Sequence, residues 1–192
     1  MTPPLYALLV GMLLGFSLTI PPGPMNALIV ARSVRSARAG TLTGLGAMSA
    51  DLVLGALVYG LRTEVDLGSY FRPICALGAL AMAFLGYRLI AGASRSASAP
   101  PKALATFSQA FAVGITNPLQ ILWWLTAGLA FAYLGGILLF LGIFVAIAVW
   151  ILAFPLAVHA GTRRFPRGER GITIASGAIL FAFAGYFVFL AL

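Results

Sequence analysis

Gly15-Phe16-Ser17-Leu18-Thr19-Ile20-Pro21-Pro22-Gly23-Pro24 decides how this chain folds, because it sets three prolines and a glycine inside an apolar run with no charge from Thr2 to Ala31. Three prolines remove three backbone donors, and Gly23 opens dihedrals that other residues avoid, so no regular helix crosses the cluster. In water such a segment would be a loop. In hydrocarbon each unpaired backbone group costs several kcal/mol, so a break there has to be surrounded by protein or by a water-filled cavity. The cluster therefore predicts a cavity.

The setting is hydrocarbon. The chain is 61% hydrophobic and 8% charged, with a mean hydropathy of +1.04, whereas a soluble domain carries about 25% charged residues. No charged side chain occurs from Ala103 to Val158, which is room for two spans of about 20 residues with Gly135-Gly136 as the turn. The first apolar run lacks the basic flank and small-residue cleavage site of a signal peptide, so it is expected to remain as a span. The single cysteine, Cys75, excludes an internal disulfide. The net charge of +8 sits in short loops with no polar domain to hold a duplex, so it reads as a topology signal and as lipid-headgroup contacts, with no nucleic-acid partner.

Apolar runs between charged residues give an all-α polytopic membrane protein of six transmembrane helices, from Leu5 to Ala31, Gly40 to Leu61, Pro73 to Ala93, Ala103 to Tyr133, Ile137 to His159 and Gly171 to Leu192. Of the 12 basic residues, only Arg62 and Arg72, together with Glu64 and Asp66, fall on one side. The others follow span one (Arg32, Arg35, Arg38), separate spans three and four (Arg88, Arg95, Lys102), or separate spans five and six (Arg163, Arg164, Arg167, Arg170). That asymmetry places those three loops in the cytoplasm and both termini outside.

The two halves resemble each other. GALAMAFLGY from Gly78 returns as GAILFAFAGY from Gly177, and Phe16 and Ile20 before the first break align with Phe111 and Ile115 before Asn117-Pro118. The expected organisation is one transmembrane domain, 1–192, made of a three-helix repeat at 1–93, a cytoplasmic linker at 94–102 and a second repeat at 103–192. Three is odd, so the repeats are inverted, and paired interruptions at matching positions mark a site between broken helices one and four.

The second break lies about 14 residues into span four, roughly 21 Å of helix. Pro118 frees a carbonyl one turn earlier, near Gly114, and the Asn117 amide both donates and accepts. Facing breaks would offer free carbonyls and half-helix N-termini to a zwitterion; alternatively, Pro118 merely kinks the helix and Asn117 satisfies its own backbone. The candidate binding residues are Ile20, Pro21, Pro22, Gly23, Pro24 and Asn26 at one break, and Gly114, Thr116, Asn117 and Pro118 at the other.

Asp51 is the one acid inside any span, about 11 residues or roughly 17 Å from the cytoplasmic end and too deep to snorkel. An ionised carboxylate there costs several kcal/mol, so the residue faces protein or water. It shares a helix face with Gly44 and Gly55, beside Ala47 and Met48, a small-residue stripe suited to close packing. Two roles fit: a proton carrier, or a protonated carboxyl bonded to a broken-helix carbonyl. His159, beside Arg163 and Arg164, reads as a helix terminator; Trp123 and Trp124 read as ordinary packing, with the alternative that one lines the cavity while its neighbour faces lipid.

Pro21-Pro22-Gly23-Pro24 followed by Asn26, the Gly-rich second span with Asp51, Gly86-Tyr87-Arg88, and Asn117-Pro118 before apolar and aromatic residues resemble the LysE/RhtB family of amino-acid exporters over essentially the whole chain. Many relatives carry a basic residue directly after the NP, where this chain has Leu119 and Gln120. The resemblance implies a small secondary exporter in the bacterial cytoplasmic (inner) membrane, moving amino acids or related solutes outward on the proton gradient. Asp51 would be the proton-coupling residue. No cofactor, metal or catalytic role is expected.

Rival readings lack residues. A metal exporter needs several acidic, thiol or imidazole ligands, a thiol-redox carrier needs two cysteines, and an intramembrane enzyme needs a His/carboxylate or Ser/His constellation. A cationic cargo would want more than Asp51 alone in the site, so the expected cargo leans toward neutral amino acids. The small-residue faces could be used within one copy or between two in a homodimer.

Overall fold

The computed structural model describes residues 4–61, 68–93, 103–125, 129–164 and 168–192. The linker at 94–102 and the loop carrying Arg62, Glu64 and Asp66 lie outside those residues, as does Arg167. The described chain is helical: α1 (Pro4–Thr19), α2 (Pro24–Arg35), α3 (Ala37–Leu61), α4 (Gly68–Gly92), α5 (Ala103–Ile115), α6 (Pro118–Trp123), α7 (Leu129–Arg164) and α8 (Glu169–Ala191). Among the described residues four stretches are long and apolar enough to cross a membrane, and α1 with α2 makes a fifth if the bent pair is one span.

Span one is broken as expected, and more sharply than a kink: α2 leaves α1 at 77°. The fourth span, expected from Ala103 to Tyr133 with a break at Asn117-Pro118, is divided there. It comprises α5, the short α6 and, beyond residues 126–128, the start of α7. The reason is local. Pro118 cannot continue α5, and the turn foreseen at Gly135-Gly136 is a true reversal of helical dihedrals, Gly136 sitting at φ 58 and ψ −155, a left-handed value that glycine alone adopts without cost. Pro73 and Pro155 behave differently and remain inside α4 and α7.

Two apolar cores result. One joins Leu28 and Ala31 of α2 to Met82 and Leu85 of α4, Val113 of α5, and Leu180 and Phe187 of α8. The other joins Val58 of α3 and Trp124 to Leu139, Ile143, Phe144 and Ile147 of α7, with Val10, Leu14 and Leu18 of α1 against them. Large apolar side chains such as Leu13, Leu80 and Phe189 point outward, as expected of a surface that meets acyl chains rather than water.

α1 packs along α7, α3 along α5, and α4 along α8. Close approach requires glycine at two of these crossings. A Cβ at Gly11 would collide with the Leu139 carbonyl of α7, and Cβ atoms at Gly86 and Gly177 would each lie 3.0 Å from the other's carbonyl oxygen across α4 and α8.

The Arg-rich end of α2 is tied to three neighbours. Arg32 donates to the Gln109 side chain of α5 at 2.8 Å, Arg35 donates to the Gly92 carbonyl of α4 at 3.2 Å, and His159 Nδ1 of α7 lies 3.0 Å from the Ser33 carbonyl. A carbonyl only accepts, so that imidazole nitrogen carries the proton. His159 is therefore no helix terminator: α7 runs on to Arg164, and the residue clips α2 to α7.

Candidate functional site

At the first break, Ile20 N–H still reaches the Phe16 carbonyl at 2.9 Å, and then the chain runs extended through Gly23 (φ −160, ψ 178) into α2. Pro24 occupies the first helical position, where a missing N–H costs nothing and φ is already set. Asn26 holds the corner. Its Nδ2 donates to the Thr19 carbonyl at 2.6 Å and the Pro21 carbonyl at 2.9 Å, while its Oδ1 accepts from Trp150 Nε1 at 3.2 Å. Carbonyls expected to be free for a ligand are thus partly consumed by Asn26. The N-terminus of α2 is not, for Gly23 supplies no side-chain cap, leaving early N–H groups and the positive end of the helix dipole at the break.

The second break closes on itself. The Asn117 N–H takes the Gly114 carbonyl at 3.2 Å, and Asn117 Oδ1 accepts from the Leu119 N–H at 3.2 Å. The carbonyl that Pro118 was expected to free near Gly114 is therefore recaptured by a tighter turn, a common end to an interrupted helix. α6 then begins with Pro118 at its first position, as α2 begins with Pro24. Gly78 of α4 lies hard against the Thr116 carbonyl, seating α4 on this break.

Asp51, in the middle of α3, is 5% exposed. Gln120 Nε2 donates to its Oδ1 at 2.7 Å, and Trp124 Nε1 donates to the same oxygen at 2.8 Å. Both donors are neutral, and both come from the segment after the second break. Two neutral donors thus anchor one carboxylate oxygen without supplying a counter-charge. Trp124 is fixed in turn by edge contact with Trp123 (5.2 Å, 84°) and stacking near Phe144 (6.1 Å, 24°).

Asp51, Gln120 and residues of both breaks border one cavity of about 240 Å³. Of the residues singled out from sequence, Pro21, Pro22, Gly23, Pro24, Asn26, Asp51 and Asn117 lie on its wall. Four do not. Ile20 points outward, 54% exposed, toward a separate groove. Gly114 packs on Ala50 of α3, Thr116 returns its hydroxyl to the Ala112 carbonyl at 2.7 Å, and Pro118 is fully buried. Among the described residues no group of three or more His, Cys, Asp or Glu gathers as metal ligands would.

Sequence reasoning missed Gln120, Trp124 and Trp150. Trp124 and Gln120 are four apart, one face of a helix, which a search for donors near Asp51 could have used. Trp150 had its own signal: tryptophans in membrane proteins favour the interfaces, and this one stands about midway along the apolar stretch Gly136–Arg164.

Residues 16–190 match the LysE type translocator family. A curated relative from Bacillus subtilis (strain 168), named "Putative amino acid efflux protein YcgF", is 30% identical over 192 residues, covering 91% of each chain. No solved structure matches the chain significantly. A match spanning nearly every helix, both breaks and Asp51 identifies this multi-pass membrane protein as a member of the LysE type translocator family.

Proposed function

We propose that the chain is a secondary exporter that carries amino acids or similar small zwitterions outward across the bacterial cytoplasmic membrane, with Asp51 exchanging a proton for the cargo. The observation that carries the reading is a single buried carboxylate on the wall of a cavity bordered by both helix breaks. The uncapped N-terminus of α2 suits a carboxylate, and the Asp51 carboxylate on the cavity wall suits either an ammonium or a proton. A protonated carboxyl carries no charge for an ammonium to pair with, so cargo and proton exclude each other, which is the simplest basis for antiport. The family match and the name of the Bacillus relative support amino acids as the class.

The inverted 3+3 repeat is supported by helix pairing as well as by sequence. Exchanging the halves turns the α1–α7 pair into the α5–α3 pair and leaves α4–α8 and α3–α7 as they are. Alternating access would then be a rocking of one repeat against the other, with the Arg-rich loops cytoplasmic and both termini outside.

The test is efflux of radiolabelled amino acids from proteoliposomes under an imposed pH gradient. Asp51→Asn should cut gradient-driven efflux by about 100-fold or more, as expected of an essential proton carrier. Unchanged gradient-driven efflux in the variant would remove the coupling role, and a wild type that moves no amino acid would remove the cargo assignment.

A further inference from the structure

Toward α8 the central cavity ends at an indole. Trp150 of α7 borders the cavity of about 240 Å³ on one side and, on the other, a second hollow of about 350 Å³ between α7 and α8, walled by Phe154, Ile172 and Ile179. Pro22, Gly23, Asn26 and Trp150 belong to both walls. The first two are fixed by the break, and Asn26 is committed to the carbonyls of Thr19 and Pro21. Trp150 is the bulky partition. It is held from one side by the bond from Nε1 to Asn26 Oδ1 at 3.2 Å, and from the other by stacking on Phe154 at 4.6 Å and 16°.

We propose that Trp150 sets the upper size of the cargo side chain, and that the hollow behind it is an apolar extension of the binding site that the indole keeps closed. This rests on the amino-acid export reading above. A cavity of about 240 Å³ falls below the roughly 300–1,000 Å³ of pockets that take drug-sized ligands. Its charged wall residue is Asp51, which the cargo ammonium or a proton engages, so nothing on that wall balances a charged side chain. The native cargo is accordingly a neutral amino acid with a small side chain. Removing the indole joins the two spaces, and the lining gained is apolar, so the new cargo is one with an aromatic or long aliphatic side chain.

Proteoliposomes carrying the full chain, loaded in parallel with L-alanine, L-leucine or L-phenylalanine, separate the possibilities. Wild type should favour alanine over phenylalanine by about tenfold or more. Trp150→Ala should reverse or erase that preference, and Trp150→Leu should fall between them, so the series holds if the alanine variant fails to assemble. Trp150→Phe, which keeps the partition and loses the bond to Asn26, should retain the wild-type preference. An alanine/phenylalanine ratio that stays constant across the series while alanine efflux persists overturns the size filter and leaves amino-acid export standing. A wild type that moves phenylalanine as fast as alanine also overturns it. No movement of any of the three by any variant overturns both.

Discussion

The two helix breaks begin from similar chemistry and are built in opposite ways. At Pro21-Pro22-Gly23-Pro24 the corner is wide, 77°, outwardly exposed at Pro21 and Pro22, and braced by a side chain from the following helix, Asn26, which reaches back to two carbonyls. At Asn117-Pro118 the corner is buried and heals itself with Asn117's own backbone and amide. The first leaves a helix N-terminus uncapped. The second delivers Gln120 and Trp124 to Asp51. The comparison teaches a division of labour: one break exposes backbone that a ligand can use, and the other is consumed in positioning the carboxylate.

That division can be broken most forcefully at the second site. Gln120→Leu with Trp124→Phe strips both donors from the anchored oxygen, and hydrogen bonds to a charged group contribute about 1.5–3 kcal/mol each. The double variant should lose export and unfold several degrees earlier in detergent. Because both donors share Oδ1, the single changes should not add in a double-mutant cycle; strict additivity would show that the two act separately.

Asn26→Leu should come next. It abandons two carbonyls and the Trp150 indole, costing about 1–2 kcal/mol given the modest worth of hydrogen bonds inside membranes. Its mark should be a change in cargo binding with proton coupling retained, whereas the Gln120 change, beside the carboxylate that serves both cargo and proton, should alter both. Asn117→Ala removes one cap at about 1 kcal/mol, and Asn117→Ser should restore most of it. Thermal unfolding of the three variants measures this. Ile20→Ala, at an exposed position off the central cavity, should stay within about 0.5 kcal/mol and leave uptake and efflux rates unaltered. A large loss of cargo affinity there would mean that the first break binds through its outer face.

Both breaks were legible in the sequence because a proline lacks its donor in any surroundings, and Asp51 because a charge within apolar sequence needs no neighbour to be conspicuous. Pro73 and Pro155 mark the limit of that rule. Each stands alone, without the Pro-Gly or Asn companion that gives the chain a turn, and each stays within its helix. Side-chain partners were less readable. Which donor meets Asp51 depends on how α3 crosses the segment after Asn117, and that is set by contacts such as Gly46 of α3 against the Phe107 carbonyl and Ala110 of α5, which no single segment encodes. The Gly114 carbonyl shows the same limit on a smaller scale, since its recapture depends on how the chain turns after Pro118 is excluded from the helix.

The ties at the far end of α2 have a consequence for the membrane around the protein. Arg32 and Arg35 hold α2 to α5 and α4 through a neutral amide and a backbone carbonyl, both weaker acceptors than a phosphate. Anionic headgroups at that surface attract each basic residue by about 1 kcal/mol, enough to compete. A bilayer rich in acidic lipid would loosen the grip of the two arginines on α5 and α4, while a neutral bilayer would leave it intact. The two arginines, read from sequence as topology signals and headgroup contacts, thus also tie α2 to its neighbours, and the two roles compete.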